Sequence, residues 1–473
     1  MASTFYGLEI ARSAVNANQV ALDVTGQNIA NINTDDYTRQ SADLAAVNYG
    51  SGIYTIAQHA NQAGQGVTVQ QISQIRDSFL DTRVRNANSE SNMWNTALSA
   101  LSDIEEVLDE SETDGLHAML NDFYNSLQDL SNNVGKTEYA SIVRSSAEKV
   151  VQIFNQYASQ FSRIREDQVT SLEIDVKDIN VNINKINEIN DLIKDQTVRG
   201  SVSNELLDLR NSYLDTLSEY MPIAVEANDD GTVSVLSGGE SVLDSTFSVT
   251  VSGDETSIQR TDSLGTVTAY SPEAGTLKGY LNILNGAGKL AETGESTYNG
   301  LLYYERSFDA FADAFAGTFN AINTLDPAVP ANLFEGSTAS DIRISDAWYE
   351  DAFFLVTSDQ DSNDNIIKMI NAMDNDVDTS LYPEITGTFE GFSRTMMGDI
   401  AIDTGYTEDM AGMNEDILDA VANQRESIMG VSLNDETINL TKFQRAYQAA
   451  ARLMTVLDEN LDTLINGMGV VGR

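Results

Sequence analysis

Cysteine is absent from the 473 residues, histidine occurs only twice, and all five prolines fall between positions 222 and 383. Without cysteine the chain has no disulfide staple, no thiol nucleophile and no thiolate metal site. His59 and His117 are not spaced as a metal-binding pair, and neither HExxH nor GxSxG occurs, so metalloprotease and serine-hydrolase readings lack their signatures. Basic residues are scarce too: 27 Lys and Arg stand against 72 Asp and Glu, a formal net charge of −45. So acidic a chain repels phosphate backbones, which argues against nucleic acid as a partner. No apolar run approaches the length of a membrane span, so no membrane insertion is expected. The start, MASTFYGLEIARSAVNANQVALDV, lacks the basic and apolar regions of a cleavable signal peptide. On these grounds alone a soluble, cytoplasmic protein is the default.

What the chain does have is a matched pair of heptad patterns at its ends. Leu440, Phe443, Tyr447, Ala450, Met454, Leu457, Leu461, Leu464 and Met468 follow alternating three- and four-residue steps. Leu8, Ala11, Val15, Leu22, Ile29 and Ile32 keep the same rhythm near the N-terminus, interrupted by Asn18 and Thr25. This period puts one narrow apolar seam on each helix, the pattern of a coiled coil, and neither helix can bury its own seam. These fourteen apolar residues, Met468 apart, are the candidate assembly interface. The charge distribution agrees: residues 1–45 carry a net −3 and residues 431–473 a net −1, which leaves −41 for 46–430. The ends are nearly neutral, as packing surfaces are, while the middle carries the solvated charge.

The proline-free flanks suit long helices. Leu80, Val84, Ala87, Ser91, Trp94, Leu98 and Leu101 keep a helical rhythm, as do Leu172, Val176, Ile179, Ile183 and Ile186. Residues 46–70, punctuated by Gly50, Gly52, Gly64 and Gly66, read as loop and short strand. After Pro222 the period changes to two, and Asn228-Asp229-Asp230-Gly231 lies between alternating segments as a hairpin turn does. Phe247, Val249 and Val251 alternate again. Tyr304, Phe308, Phe311, Phe315 and Phe319 predict a helix over about 298–322, and another is expected over about 408–429. The predicted fold is mainly α with an inserted β-rich domain. The terminal helices pair as a coiled coil in a unit of 1–70 and 431–473. A helical-bundle domain takes 71–221 and 286–430, with a mixed, loop-rich part at 326–385, and a small outer β domain takes 222–285. The last helix is expected to start at Asn434 as N-cap, with Leu433 and Ile438 as a hydrophobic staple.

No catalytic, metal or cofactor residue stands out. The run Asp359 to Asn365 imitates half a calcium loop, but Asp364 replaces the required glycine and Ile370 the bidentate glutamate. Gly64-Gln-Gly66 lacks any phosphate-loop context, and carboxylate pairs are frequent only because carboxylates are. The expectation is a protein that is not an enzyme and takes no cofactor.

Several stretches resemble one family. NIANINTDDYTRQ (28–40) is similar to the motif after the N-terminal helix in rod, hook and hook-associated subunits of bacterial flagella. NQRESIMGVSLNDETINLTKFQRAYQAAARLMTVLDENLDTLI (423–465) resembles the hook-associated protein 1 family, and so, in order, do 204–235, 275–284 (GTLKGYLNIL) and 339–347 (ASDIRISDA). The family commonly has Pro-Gly before the motif tyrosine, where this chain has Asp35-Asp36, and aspartate fixes neither φ as proline does nor positive φ as glycine does. The resemblance implies an extracellular hook–filament junction subunit, exported by the flagellar type III route without a cleaved signal. It further implies self-association in a ring, contact with hook protein, with a second junction protein and with the filament, and an export chaperone on the C-terminal helix. Another axial subunit, of flagellin or hook type, and an exported surface adhesin using the middle domains are the alternatives.

Overall fold

A computed structural model describes residues 6–47, 64–108, 115–200, 202–291, 298–323, 332–355 and 363–467. Helix α1 (Tyr6–Ala30) leads through a turn into an antiparallel hairpin of β1 (Gln40–Ala46) and β2 (Val67–Gln74), with a register irregularity at Asp43/Leu44. The expected loop-and-strand stretch is thus flanked by two strands. Four helices follow: α2 (Ser78–Leu108), α3 (Leu116–Asn132), α4 (Thr137–Arg199) and α5 (Asn204–Tyr220). At 63 residues, α4 spans roughly 95 Å at a rise of about 1.5 Å per residue. It ends on Gly200, whose φ of 86° closes the helix in the left-handed cap that glycine favours.

Six strands come next: β3 (Ala224–Ala227), β4 (Val233–Ser237), β5 (Glu240–Ser241), β6 (Ser245–Ser252), β7 (Glu255–Asp262) and β8 (Val267–Tyr270). They form two antiparallel three-stranded sheets, β3-β4-β5 and β6-β7-β8. The β3–β4 turn is the one legible in the sequence. Gly231 takes φ 85°, and the Asp230 carboxylate accepts from the Thr232 amide and hydroxyl. Helices α6 (Thr276–Asn285) and α7 (Leu301–Ile322) return the chain to the helical body. A two-stranded ribbon of β9 (Phe334–Glu335) and β10 (Arg343–Ile344) precedes the short α8 (Asp346–Glu350) and α9 (Asp364–Asp374). Then come α10 (Phe389–Met429) and α11 (Leu433–Asp462), the latter followed by a π-helical turn, Thr463–Gly467. The chain is mainly α with small β parts, as expected.

Two hydrophobic cores hold this together, and α4 runs through both. Its N-terminal half packs Phe154 and Phe161 against the α7 stripe Phe308, Phe311, Phe315 and Phe319, with Phe389 and Phe392 of α10 closing the other side. Its C-terminal half supplies Leu172, Val176, Ile179, Ile183 and Ile186 to a second core shared with α5, both sheets and α6. The sheets therefore rest on helical residues.

Two sequence expectations need correction. The helix expected over 408–429 begins at Phe389. Gly398, Gly405 and Gly412 weaken its local pattern, but burial of Phe389, Phe392, Met396 and Ile400 in the aromatic core carries the helix across them. The N-cap of α11 is Ser432, whose hydroxyl accepts from the Asp435 amide at 3.4 Å. Asn434 lies inside the first turn.

Candidate assembly interface

Helix α1 packs along α11. A Cβ placed on Gly7 would lie 3.2 Å from Leu457, near the end of α11, whereas Arg39, beyond the end of α1, reaches Glu436 in the first turn of α11. The two helices therefore run antiparallel. On α11 the residues turned toward α1 include Phe443, Tyr447, Met454, Leu457 and Leu461, all half-buried, and Ala450, which is buried. Leu440 and Leu464 are exposed, and Met468 lies outside the described residues. On α1, Ala11 is buried and Leu8, Val15, Leu22 and Ile29 are half-buried, while Ile32, in the turn just past its end, is exposed. Besides Ala11, the buried residues of α1 are Ala17, Ala21, Val24, Thr25 and Asn28. This alanine-rich face lies beside the β1–β2 hairpin as well as α11, so small side chains admit a strand where the heptad reading placed only a helix.

The turn after α1 is fixed by polar groups that the apolar pattern could not reveal. Asn28 is buried; its amide donates to the Gln40 carbonyl (2.9 Å), while its oxygen accepts from the Gln40 amide (3.0 Å) and the Tyr37 hydroxyl (2.9 Å). Asp36 takes φ 60°, the only positive φ outside glycine among the described residues. The turn thus uses the left-handed conformation that aspartate tolerates better than most residues. Burial, with Asp208, Glu205 and Glu436 nearby, pushes the Tyr37 hydroxyl up to about 12.

This turn is tied to both ends of the chain. The Arg39 amide donates to the Met429 carbonyl (3.0 Å), its carbonyl accepts from the Ile75 amide (2.8 Å), and its guanidinium donates to Glu436 (2.7 Å). Glu436 is only 2% exposed, and the Arg39 guanidinium beside it balances its charge. Next to it, Arg76 makes a two-pronged pair with Asp81 and donates to the Thr38 hydroxyl. Asp215 accepts from Arg85 (2.7 Å) and from Arg425 (2.6 Å), joining α2, α5 and α10. Buried Arg210 donates to Asn190 and to the Gly231 carbonyl; burial, then Arg85 and Arg76, bring its guanidinium down to about 10. An open groove of about 640 Å³ lies over this ionic knot, lined in part by Asp36, Tyr37, Arg76 and Arg425.

Chemistry elsewhere is sparse. His117, on α3, lies 3.6 Å from Glu390, and His59 falls outside the described residues, as do Asp359 and Asp361 of the calcium-like run. Among the described residues, no group of three His, Cys, Asp or Glu side chains is placed to hold a metal ion, and no helix is long and apolar enough to cross a membrane.

The two stretches that meet at the knot, 28–40 and 423–436, are also those whose wording points to a family. The profile described as "Flagellar hook-associated protein FlgK helical domain" matches residues 101–331. "Flagella basal body rod protein" matches 8–38, and "Flagellar basal body rod FlgEFG protein C-terminal" matches 423–467. A flagellar hook-associated protein 1 from Bacillus subtilis is 31% identical over the full length of both chains. The proteins of the same name from Escherichia coli and Salmonella typhimurium are 24% and 23% identical, over 96% of this chain and 98% of theirs. A solved structure titled as the flagellar hook junction protein FlgK from Burkholderia pseudomallei aligns with TM-score 0.46 and 21% identity over 54% of this chain and 46% of its own. Matched from end to end at that identity to the Bacillus protein, this chain belongs to the flagellar hook-associated protein 1 family.

Proposed function

We propose that this chain is a structural subunit of the bacterial flagellum that joins hook to filament, and that it assembles by burying its terminal helices. The carrying observation is the antiparallel pairing of α1 with α11, in which α11 is covered along one side only. Ile438, Leu453 and Val456, on the other side of α11, stay exposed. Apolar side chains in a row on a thin helix gain stability only when a further surface covers them. The heptad residues of both helices, Leu8 to Ile32 and Leu440 to Leu464, form a coiled coil in the assembled state. The units 1–70 with 431–473, 71–221 with 286–430, and 222–285 stack outward from the tube wall, with the acidic load facing solvent. Subunits associate in a ring and contact hook protein on one side, and the second junction protein and filament on the other. The chain reaches this extracellular site by type III export without a cleaved signal peptide, with a chaperone on α11 until assembly. Reading the chain instead as flagellin or hook protein is not favoured, because full-length relatives carry the hook-associated protein 1 name.

A truncation ending at Val431 tests the mechanism. It keeps both cores and should remain folded by circular dichroism, yet fail to cap isolated hooks under electron microscopy. Normal capping by the truncated chain would overturn the reading.

A further inference from the structure

Helix α10 pairs with α2, where Arg83 reaches Gln424 and Trp94 meets Tyr406 edge-on, but a row of apolar side chains along the edge of this contact is bare. Ile402, Tyr406, Met413 and Ile417 are between 47% and 70% exposed. At about 100° per residue they fall within an arc of roughly 60°. Beside them stand Gly398, Gly405 and Gly412, seven residues apart, where an added Cβ would meet nothing within 4 Å. Glycine is costly inside a helix, and no close neighbour among the described residues calls for it at these three positions. A helix backbone approaching from outside would. The charge on this face has one sign: residues 395–424 contain seven carboxylates and no Lys or Arg. Asp399 and Asp403 are taken up by Tyr303 and Tyr304, which leaves Glu408, Asp409, Glu415, Asp416 and Asp419 exposed.

A surface of the opposite kind exists on the same chain. The uncovered side of α11 carries Ile438, Ala449, Leu453 and Val456 within a similar arc, with Lys442, Arg445 and Arg452 exposed among them. Residues 437–457 contain those three cations and no carboxylate. The repeats match as well: Ile402/Met413 and Tyr406/Ile417 are eleven apart, as are Ile438/Ala449 and Lys442/Leu453. An eleven-residue period keeps a stripe nearly straight along a helix, so two such stripes stay in register without a left-handed supercoil.

We propose that the bare face of α10 receives the uncovered side of α11 from a second copy of this chain, with the glycine row admitting the incoming backbone and the carboxylates facing Lys442, Arg445 and Arg452. Such a contact is head-to-tail and closes into a ring when its rotation permits. This inference rests on the assembly reading above and names the surface that the terminal helix meets.

The chain has no cysteine, so single thiols report the contact. Full-length Met413→Cys and Leu453→Cys variants are assembled together on isolated hooks, oxidised and run on a non-reducing gel. The mixture should give a dimer band at least about tenfold stronger than either variant alone, because a disulfide needs Cα atoms within about 7 Å. Dimers dominated by one variant alone would mean that like faces meet, and would overturn the proposal. Assembled subunits that give no mixed dimer, with this pair and with Tyr406→Cys plus Val456→Cys, would overturn it too. Failure of the underlying reading looks different: there, the chain truncated at Val431 caps hooks, or the full-length chain never does.

Discussion

One side-chain amide, that of Asn28, serves three partners in a site with almost no water contact. Removing it leaves the Gln40 amide and carbonyl and the Tyr37 hydroxyl without a partner at the joint between α1 and β1. Asn28→Ala should therefore destabilise the full-length chain by about 2–3 kcal/mol, the usual cost of orphaned buried polar groups. The readout is the urea midpoint. As a contrast, Arg12→Ala breaks the exposed pair with Glu9 on the same helix and should cost below about 0.5 kcal/mol. Equal effects of the two substitutions would refute the role given to Asn28. Such residues leave little trace in a sequence. Nothing in the spacing of Asn28, Tyr37 and Gln40 distinguishes a buried latch from a polar loop, and the partners of Arg39, Arg76 and Arg85 lie 397, 5 and 130 positions away. Asp36 is a partial exception, because its position beside the motif tyrosine marked the turn, although the retained positive φ became visible only in the backbone.

Individual helices differ in what keeps them folded, and that difference explains which were legible. Leu172, Val176, Ile179, Ile183 and Ile186 are all buried in one core, so their helical period could be read directly. Where α10 starts was hidden, because long-range aromatic packing overrides its four glycines. The heptads of α1 and α11 were equally plain, yet within one subunit they bury little: on α11 only Glu436 and Ala450 are fully shielded. Helix stability comes mostly from packing of an apolar face. The pair α1/α11 should accordingly open far more readily than α4. In dilute monomer, amides of 6–30 and 440–466 are expected to exchange with deuterium orders of magnitude faster than those of 172–186, and to become protected once subunits assemble. Core-level protection of both segments in the monomer would contradict an interface completed by neighbours.

At the scale of the whole molecule the dominant quantity is charge, and the chain's net −45 sets how stability responds to pH. Burial, as the first cause, holds the carboxyls of Glu90, Asp103, Asp175, Asp208, Glu219, Asp309 and Asp313 above their ordinary values. A carboxyl raised in the folded state binds its proton more tightly there than in the unfolded chain. Its contribution is therefore complete below the ordinary carboxyl range and is lost as pH rises through the folded value. Mutual repulsion among the remaining carboxylates works in the same direction. The opposite group consists of Glu205, Asp230, Asp262, Asp341 and Asp378, held low chiefly by hydrogen bonds from Ser203, Thr232, Thr266, Thr338 and Ser380. Their contribution is present above the ordinary value and disappears as pH falls through the lowered one, so it limits stability only at the acid end. Stability should consequently peak in mild acid, above the ordinary aspartate value of about 3.9, rather than near neutrality. Calorimetry at low ionic strength should give a higher Tm at pH near 5.5 than at pH near 8, and about 0.5 M salt should narrow the gap by screening only the surface repulsion. A Tm equal or higher at pH 8 would show that neither the buried carboxyls nor the crowded surface charge limits this fold.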